Sequence, residues 1–124
     1  MKQPAILCII AFLFSFLSCK NKTEATLFQL MDNTGINFRN DVADGRLENS
    51  FLFRNFYNGG GVAIGDINND GLPGVFFTSN MGENKLYLNK GGFKFDEITA
   101  KAGFKQDSMW STGVVFADIN NDGW

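Results

Sequence analysis

The chain has 124 residues, 44% of them hydrophobic, with 11 basic against 13 acidic side chains and a net charge of −2. That length suits about one small domain, and the slight acidity argues against the basic footprint that nucleic-acid binding normally shows. Histidine is absent, which removes Ser-His-Asp and Cys-His nucleophiles, imidazole-based zinc sites and a histidine pH switch from these residues.

Residues 1–18 read as a signal peptide. Lys2 supplies one positive charge, and Ala5 to Leu17 is apolar except for Ser15. This run is too short to span a bilayer, which takes about 20 residues, and has the length of a signal-peptide core. It ends in Phe16-Leu17-Ser18-Cys19, which resembles the lipobox of bacterial lipoproteins. There the cysteine after a small residue is acylated and becomes the new N-terminus. Cys19 is therefore the expected lipidation site, with an ordinary cleaved signal peptide as the alternative. The implied address is export, with a lipid anchor to the outer membrane. Residues 19–27, beginning Cys19-Lys20-Asn21-Lys22, read as a tether. Cys8 leaves with the signal peptide and Cys19 carries lipid, so the mature chain has no disulfide, although the compartment permits one.

Phe28 to Asn58 holds short apolar clusters among Asn, Asp, Gly and Arg. It reads as loop-rich with short strands, and Arg39 to Asn49 as a mobile polar loop. From Gly59 the pattern is clearer. Val62 to Gly65 is a short apolar run. Val75-Phe76-Phe77-Thr78 is β-branched and aromatic, as strands prefer. Lys85 to Asn89 and Phe93 to Ile98 alternate with period two, separated by Lys90-Gly91-Gly92. Such runs between Gly and Asn turns predict antiparallel hairpins. Four strands are expected, over 61–66, 74–79, 85–89 and 93–98, which is the content of one propeller blade.

Two acidic loops carry the chemistry. Asp66-Ile67-Asn68-Asn69-Asp70-Gly71 recurs 52 residues later as Asp118-Ile119-Asn120-Asn121-Asp122-Gly123, each after a similar apolar run. A period near 50 points to solenoids, propellers or arrays. Oxygen-bearing side chains at alternate positions, then glycine, let a backbone curl around a hard cation. Asp66, Asn68 and Asp70 supply three side-chain oxygens, and the Leu72 carbonyl a fourth. Asp118, Asn120 and Asp122 repeat the set. This is the first half of the EF-hand scheme. The second half fails, because Phe77 stands where the bidentate glutamate belongs and the flanks are strands. Calcium is the expected metal.

These loops, with Asn84 to Gly92 and Phe95 to Gly103, resemble FG-GAP/VCBS repeat proteins, most closely the bacterial secreted proteins of the ASPIC/UnbV type. The resemblance covers residues 28–124. It implies a β-propeller with calcium held in each blade's loop, and members much longer than this chain. The fold expected is all-β: a partial propeller of about one complete four-stranded blade plus parts of its neighbours, after the signal peptide. The family usually has aspartate at the ninth loop position, where this chain has Gly74. That leaves the first site two carboxylates, and ligand charge count tunes calcium affinity.

A second echo precedes each loop. Gly35 lies 31 residues before Asp66, and Gly103 lies 15 before Asp118. The first copy therefore holds extra residues around 39–55, read as a variable solvated loop with a binding loop as the alternative. Trp110 reads as blade packing, with stacking on sugar as the alternative. Glu83, Asp96 and Glu97 read as solvated surface rather than paired catalytic carboxylates.

The chain reads as the N-terminal fragment of a longer protein. Its expected role is that of a cell-envelope lipoprotein and non-enzymatic binding module for protein or carbohydrate, with calcium as cofactor and no nucleic-acid partner. The alternatives are the front of a secreted polysaccharide-acting enzyme whose catalytic domain is missing, or a truncated product without function.

Overall fold

The computed structural model describes residues 26–105 and 109–121. The signal peptide, Cys19, most of the tether and Asp122 lie outside the described residues. The chain divides into two compact units, 1–30 and 31–124. In the first, the described residues 26–30 are exposed and form no regular element. The second holds the sheet.

Four strands form that sheet: β1 Val62–Gly65, β2 Gly74–Phe77, β3 Lys85–Asn89 and β4 Phe95–Glu97. They lie in the order β1-β2-β3-β4, each antiparallel to the next. Among the described residues there is no helix. The fold is all-β, and this up-and-down meander is the topology of a propeller blade.

Register explains which side chains meet. Ala63 pairs with Phe76, and Phe76 with Leu86. Because strand side chains alternate faces, this row points one way. Ile98 extends it, donating its N–H to the Leu86 carbonyl at 2.9 Å. Ala63, Phe76 and Leu86 form the buried core, with Ile67, Ile98 and Val114 packed on it. The rings of Phe104 and Phe116 close over Phe76, centroids 5.1 and 6.4 Å away. Burying Phe76 contributes about 1.5–3 kcal/mol by transfer alone.

The opposite face carries Phe77 and Tyr87 and is covered by residues that precede β1. Phe38 stacks on Phe77 at 4.8 Å. Tyr87, fully buried, donates its hydroxyl to Asn37 Oδ1 at 2.9 Å. Burial raises the Tyr87 phenol above its ordinary pKa. The backbone also repeats. Gly35 and Gly103 share a left-handed φ of 88° and 84°, a conformation glycine adopts without penalty.

Three expectations need correction. The fourth strand begins at Phe95, not residue 93: Gly91, Gly92 and Phe93 all have positive φ and belong to the hairpin turn. Phe93 is accordingly exposed. Residues 28–58 form irregular chain, bends and, from about residue 50, turns rather than short strands. The stretch read as a mobile loop is anchored at Asn40, whose amide donates to Asn80 Oδ1 at 2.7 Å. Its neighbour turn is capped by Asn49 Oδ1, which accepts from the N–H groups of Phe51 and Leu52.

Candidate functional site

The first acidic loop joins β1 to β2, so Asp66, Asn68, Asp70 and Leu72 are brought into one turn. Asp66 folds back over it. Its Oδ1 accepts from the Asn68 and Asp70 N–H groups at 3.3 and 3.2 Å, and its Oδ2 from Gly71 at 2.7 Å. The Gly71 bond is the largest cause holding the Asp66 carboxyl below its ordinary pKa; desolvation opposes it, and the smaller contributions of the Asn68, Asp70 and Asn69 amides add to it. Asp66 is therefore an anion at neutral pH, as a cation ligand must be. Asp70 Oδ1 accepts from the Leu72 N–H at 2.8 Å. Asn69 and Gly71 supply the left-handed kinks, φ 54° and 80°, that asparagine and glycine tolerate best.

The donor set fits a hard cation. Asn68 Nδ2 lies 2.8 Å from Asp70 Oδ2, so these two side chains already converge. A half-turn of the Asn68 amide exchanges nitrogen for oxygen and presents two oxygens to one point. Among the described residues no cluster of three or more acidic, histidine or cysteine side chains forms. An ion here would thus depend on amide and backbone oxygens beside the two carboxylates, which suits calcium better than a transition metal.

The second loop copies the first as far as it is described. Asn120 donates its N–H to Asp118 Oδ1 at 3.3 Å, matching the 3.3 Å bond of Asn68 to Asp66. Asn121 has φ 59°, against 54° for Asn69. Gly74, the departure at the ninth position, has a packing reason. A Cβ there would stand 2.8 Å from the Tyr87 carbonyl oxygen and 3.3 Å from Ile67 Cδ1.

At the opposite end of the β1–β2 hairpin lies a feature that sequence reasoning missed. Thr78, Ser79 and Asn80 are polar yet buried, and together they clasp three separate segments. Thr78 Oγ1 accepts the Gly61 N–H at 2.6 Å and donates to the Thr112 carbonyl at 2.5 Å. The Ser79 carbonyl accepts the Ser111 N–H at 3.0 Å. Asn80 Nδ2 donates to the Gly59 and Ser111 carbonyls at 3.1 and 3.2 Å. Asn40 Oδ1 accepts from Ser79 Oγ and the Asn80 N–H. No buried side-chain polar atom among the described residues lacks a partner. The partners are 17 to 40 positions apart in sequence, so no local pattern signals the clasp. The run Thr-Ser-Asn after an apolar strand is its only trace.

Beside the clasp, the end of the extra segment and the residues around Trp110 build an aromatic corner. Phe56 is buried, with Trp110 tilted against it at 5.2 Å and Phe53 edge-on to Trp110 at 5.8 Å. Trp110 therefore packs, as expected, while remaining 38% exposed. A cavity of about 490 Å³ opens here, lined by Phe53, Asn55, Asn58, Gly59–Gly61, Thr112 and Gly113. A smaller, mostly apolar hollow of about 260 Å³ lies near the acidic loop, between Ile67, Leu88 and Ile98. Two of the surface acids share one cation. Glu83 and Glu97 both face Lys85, at 2.9 and 3.8 Å, and Glu97 also accepts the Thr99 N–H at 2.9 Å.

Comparison with known proteins follows the repeat. Residues 66–124 match the FG-GAP-like repeat. Cartilage acidic protein 1 of Xenopus tropicalis is 37% identical over 70 residues, 56% of this chain and 11% of that protein. The Homo sapiens protein of the same name is 35% identical over 68 residues, 54% of this chain and 10% of its own length. The chain thus spans about a tenth of the curated relatives it matches. No solved structure matches.

Proposed function

We propose that this chain is the blade-forming part of an exported, lipid-anchored FG-GAP/VCBS protein of the ASPIC/UnbV type, serving as a calcium-braced binding module rather than an enzyme. The observation that carries the metal reading is the duplicated turn. Two loops 52 residues apart place an aspartate oxygen 3.3 Å from the N–H two residues on, with the next asparagine left-handed in both. Asp66, Asn68, Asp70 and the Leu72 carbonyl would hold the first ion. Asp118, Asn120 and Asp122 would hold the second. A bound calcium supplies charge neutralisation and a crosslink between the end of β1 and the start of β2. The protein or carbohydrate partner would be met by the loops, where function concentrates on a rigid scaffold.

Thermal melting of the full chain in EDTA and in calcium tests the metal reading. An ion at about 100 times its Kd stabilises by about 2.7 kcal/mol. For a domain of this size that raises Tm by roughly 10 °C or more. The double variant Asp66→Ala with Asp118→Ala should melt identically in both buffers. An equal calcium shift in parent and variant would remove the ligand assignment. For the anchor, Cys19→Ser should abolish incorporation of labelled palmitate in cells. Undiminished labelling would remove Cys19 as the lipidated residue.

A further inference from the structure

We propose that the cavity between residues 53–61 and 112–113 is a binding site for a neutral saccharide, with Phe53 as the stacking platform and Asn55 and Asn58 as the hydroxyl-reading groups. This deepens the binding-module reading and rests on it, but not on the metal.

The size fits. About 490 Å³ lies within the roughly 300–1,000 Å³ typical of small-ligand sites. The charge fits as well. Among the described residues no ionisable side chain lines the cavity, so none of them would compensate a phosphate or carboxylate, and burying an unpaired charge is costly. The polar groups are of one kind. The side-chain amides of Asn55 and Asn58 make no hydrogen bond among the described residues. Each offers two donors and an acceptor, which matches a sugar hydroxyl, itself donor and acceptor. Phe53 is 46% exposed and is steadied edge-on by Trp110. A fixed, half-exposed ring among unpaired amides suits a molecule with one apolar C–H face and a polar rim.

The glycines separate scaffold from site. A Cβ at Gly60 or Gly61 would collide with the Thr78 or Thr112 carbonyl oxygen, so those two permit the close passage of chains through the clasp. A Cβ at Gly59 or Gly113 would meet nothing within 4 Å. Gly59 has a φ of 77° that only glycine holds easily. Gly113 has no such φ and no such crowding. Its bareness is not demanded by the fold; it leaves the cavity open. Asn80, through the Gly59 and Ser111 carbonyls, holds the two walls at their separation.

The test uses the full chain in calcium, with near-ultraviolet circular dichroism as the check on folding. Panels of neutral oligosaccharides, uronate-containing oligosaccharides and uncharged peptides are titrated against Trp fluorescence and by calorimetry. The expected result is saturable binding of a neutral oligosaccharide. Gly113→Leu, Phe53→Ala and Asn58→Ala should each weaken it at least tenfold, with the calcium response unchanged in all three and the dichroism unchanged in the two that leave the Phe53–Trp110 contact in place. Absence of neutral-saccharide binding by the folded parent overturns the site, as does binding that Gly113→Leu leaves intact. Preferential capture of peptides or uronates also overturns it. A surviving calcium shift in any of these cases leaves the metal reading standing by itself.

Discussion

Replacing Asn80 by alanine is the sharpest probe of how the two walls of the cavity are held. Asn80 is 2% exposed. Its side chain makes three bonds: to the Gly59 carbonyl at 3.1 Å, to the Ser111 carbonyl at 3.2 Å, and from Asn40 Nδ2 at 2.7 Å. The bond from its own N–H to Asn40 survives truncation. Each lost bond contributes about 0.5–1.5 kcal/mol net, and unpaired partners add to the cost. Asn80→Ala should therefore destabilise by about 3 kcal/mol. With a urea slope of about 1–2 kcal/mol per M for so small a protein, the midpoint falls by at least about 1.5 M. Asn80→Asp sharpens the reasoning. It keeps an acceptor for Asn40 but turns the other oxygen, now charged, toward two carbonyls, and a buried charge without a partner is severely destabilising. The expected order is parent, then Ala, with Asp no better than Ala. An Asn80→Ala cost below about 0.5 kcal/mol, or an Asn80→Asp variant as stable as the parent, would refute the clasp as a stabilising element.

Three further outcomes follow from the same geometry. Phe76→Ala empties the centre of the core and should cost about 3–5 kcal/mol, read from the same urea curves. Gly74→Asp restores the carboxylate usual in the resembling family, yet its Cβ would press on the Tyr87 carbonyl at 2.8 Å; it should lower Tm in EDTA and leave the calcium-dependent gain no larger than in the parent. On acidification in EDTA, Glu97 should lose stabilising interactions. Its pKa is lowered, first by hydrogen bonding to Thr99 and then by Lys85 against slight burial. A lowered carboxylate stabilises the fold fully above its ordinary pKa of 4.5, and that share is lost as pH falls through the lowered value. Glu97→Gln should flatten this acid limb of the Tm–pH curve, leaving the part due to Asp66, whose shift has the same sign.

The sheet was legible because its signals are local. Lys85 to Asn89 alternates, and the structure places that strand at the predicted residues. The acidic loops were legible because Asp, Asn and Gly at fixed offsets dictate the turn without help from distant residues. Phe93 misled because alternation alone cannot register that the turn consumes Gly91, Gly92 and Phe93; a hydrophobic side chain at a turn tip looks like a strand residue in period. The clasp was illegible for the opposite reason. Asn80 is an ordinary polar residue until Asn40, Gly59 and Ser111 arrive from 40, 21 and 31 positions away. The aromatic corner of Phe53, Phe56 and Trp110 was hidden in the same way. Trp110 showed itself as a packing residue, but its partners Phe53 and Phe56 lie more than 50 positions earlier, the first inside and the second just past the segment read as a variable loop.

The hairpin of β1 and β2 orders these features along one axis. The acidic loop follows Gly65 at one end. The clasp and the cavity gather at the other, where Gly59–Gly61 enters β1 and Thr78–Asn80 leaves β2. Four strand residues at about 3.3 Å each separate the ends by roughly 13 Å. An ion held by Asp66, Asn68 and Asp70 would then be too far away to touch a molecule in the cavity. Its influence would pass through the strands, by fixing where β1 stops and β2 starts and so the register in which Val62 faces Phe77. Thr78 follows Phe77 directly, and its N–H reaches the Gly61 carbonyl at 3.0 Å. The same register therefore sets the clasp, and the clasp sets the spacing of the cavity walls. A metal and a ligand so placed would occupy opposite ends of one hairpin, the first bracing the register on which the walls of the second's site are hung.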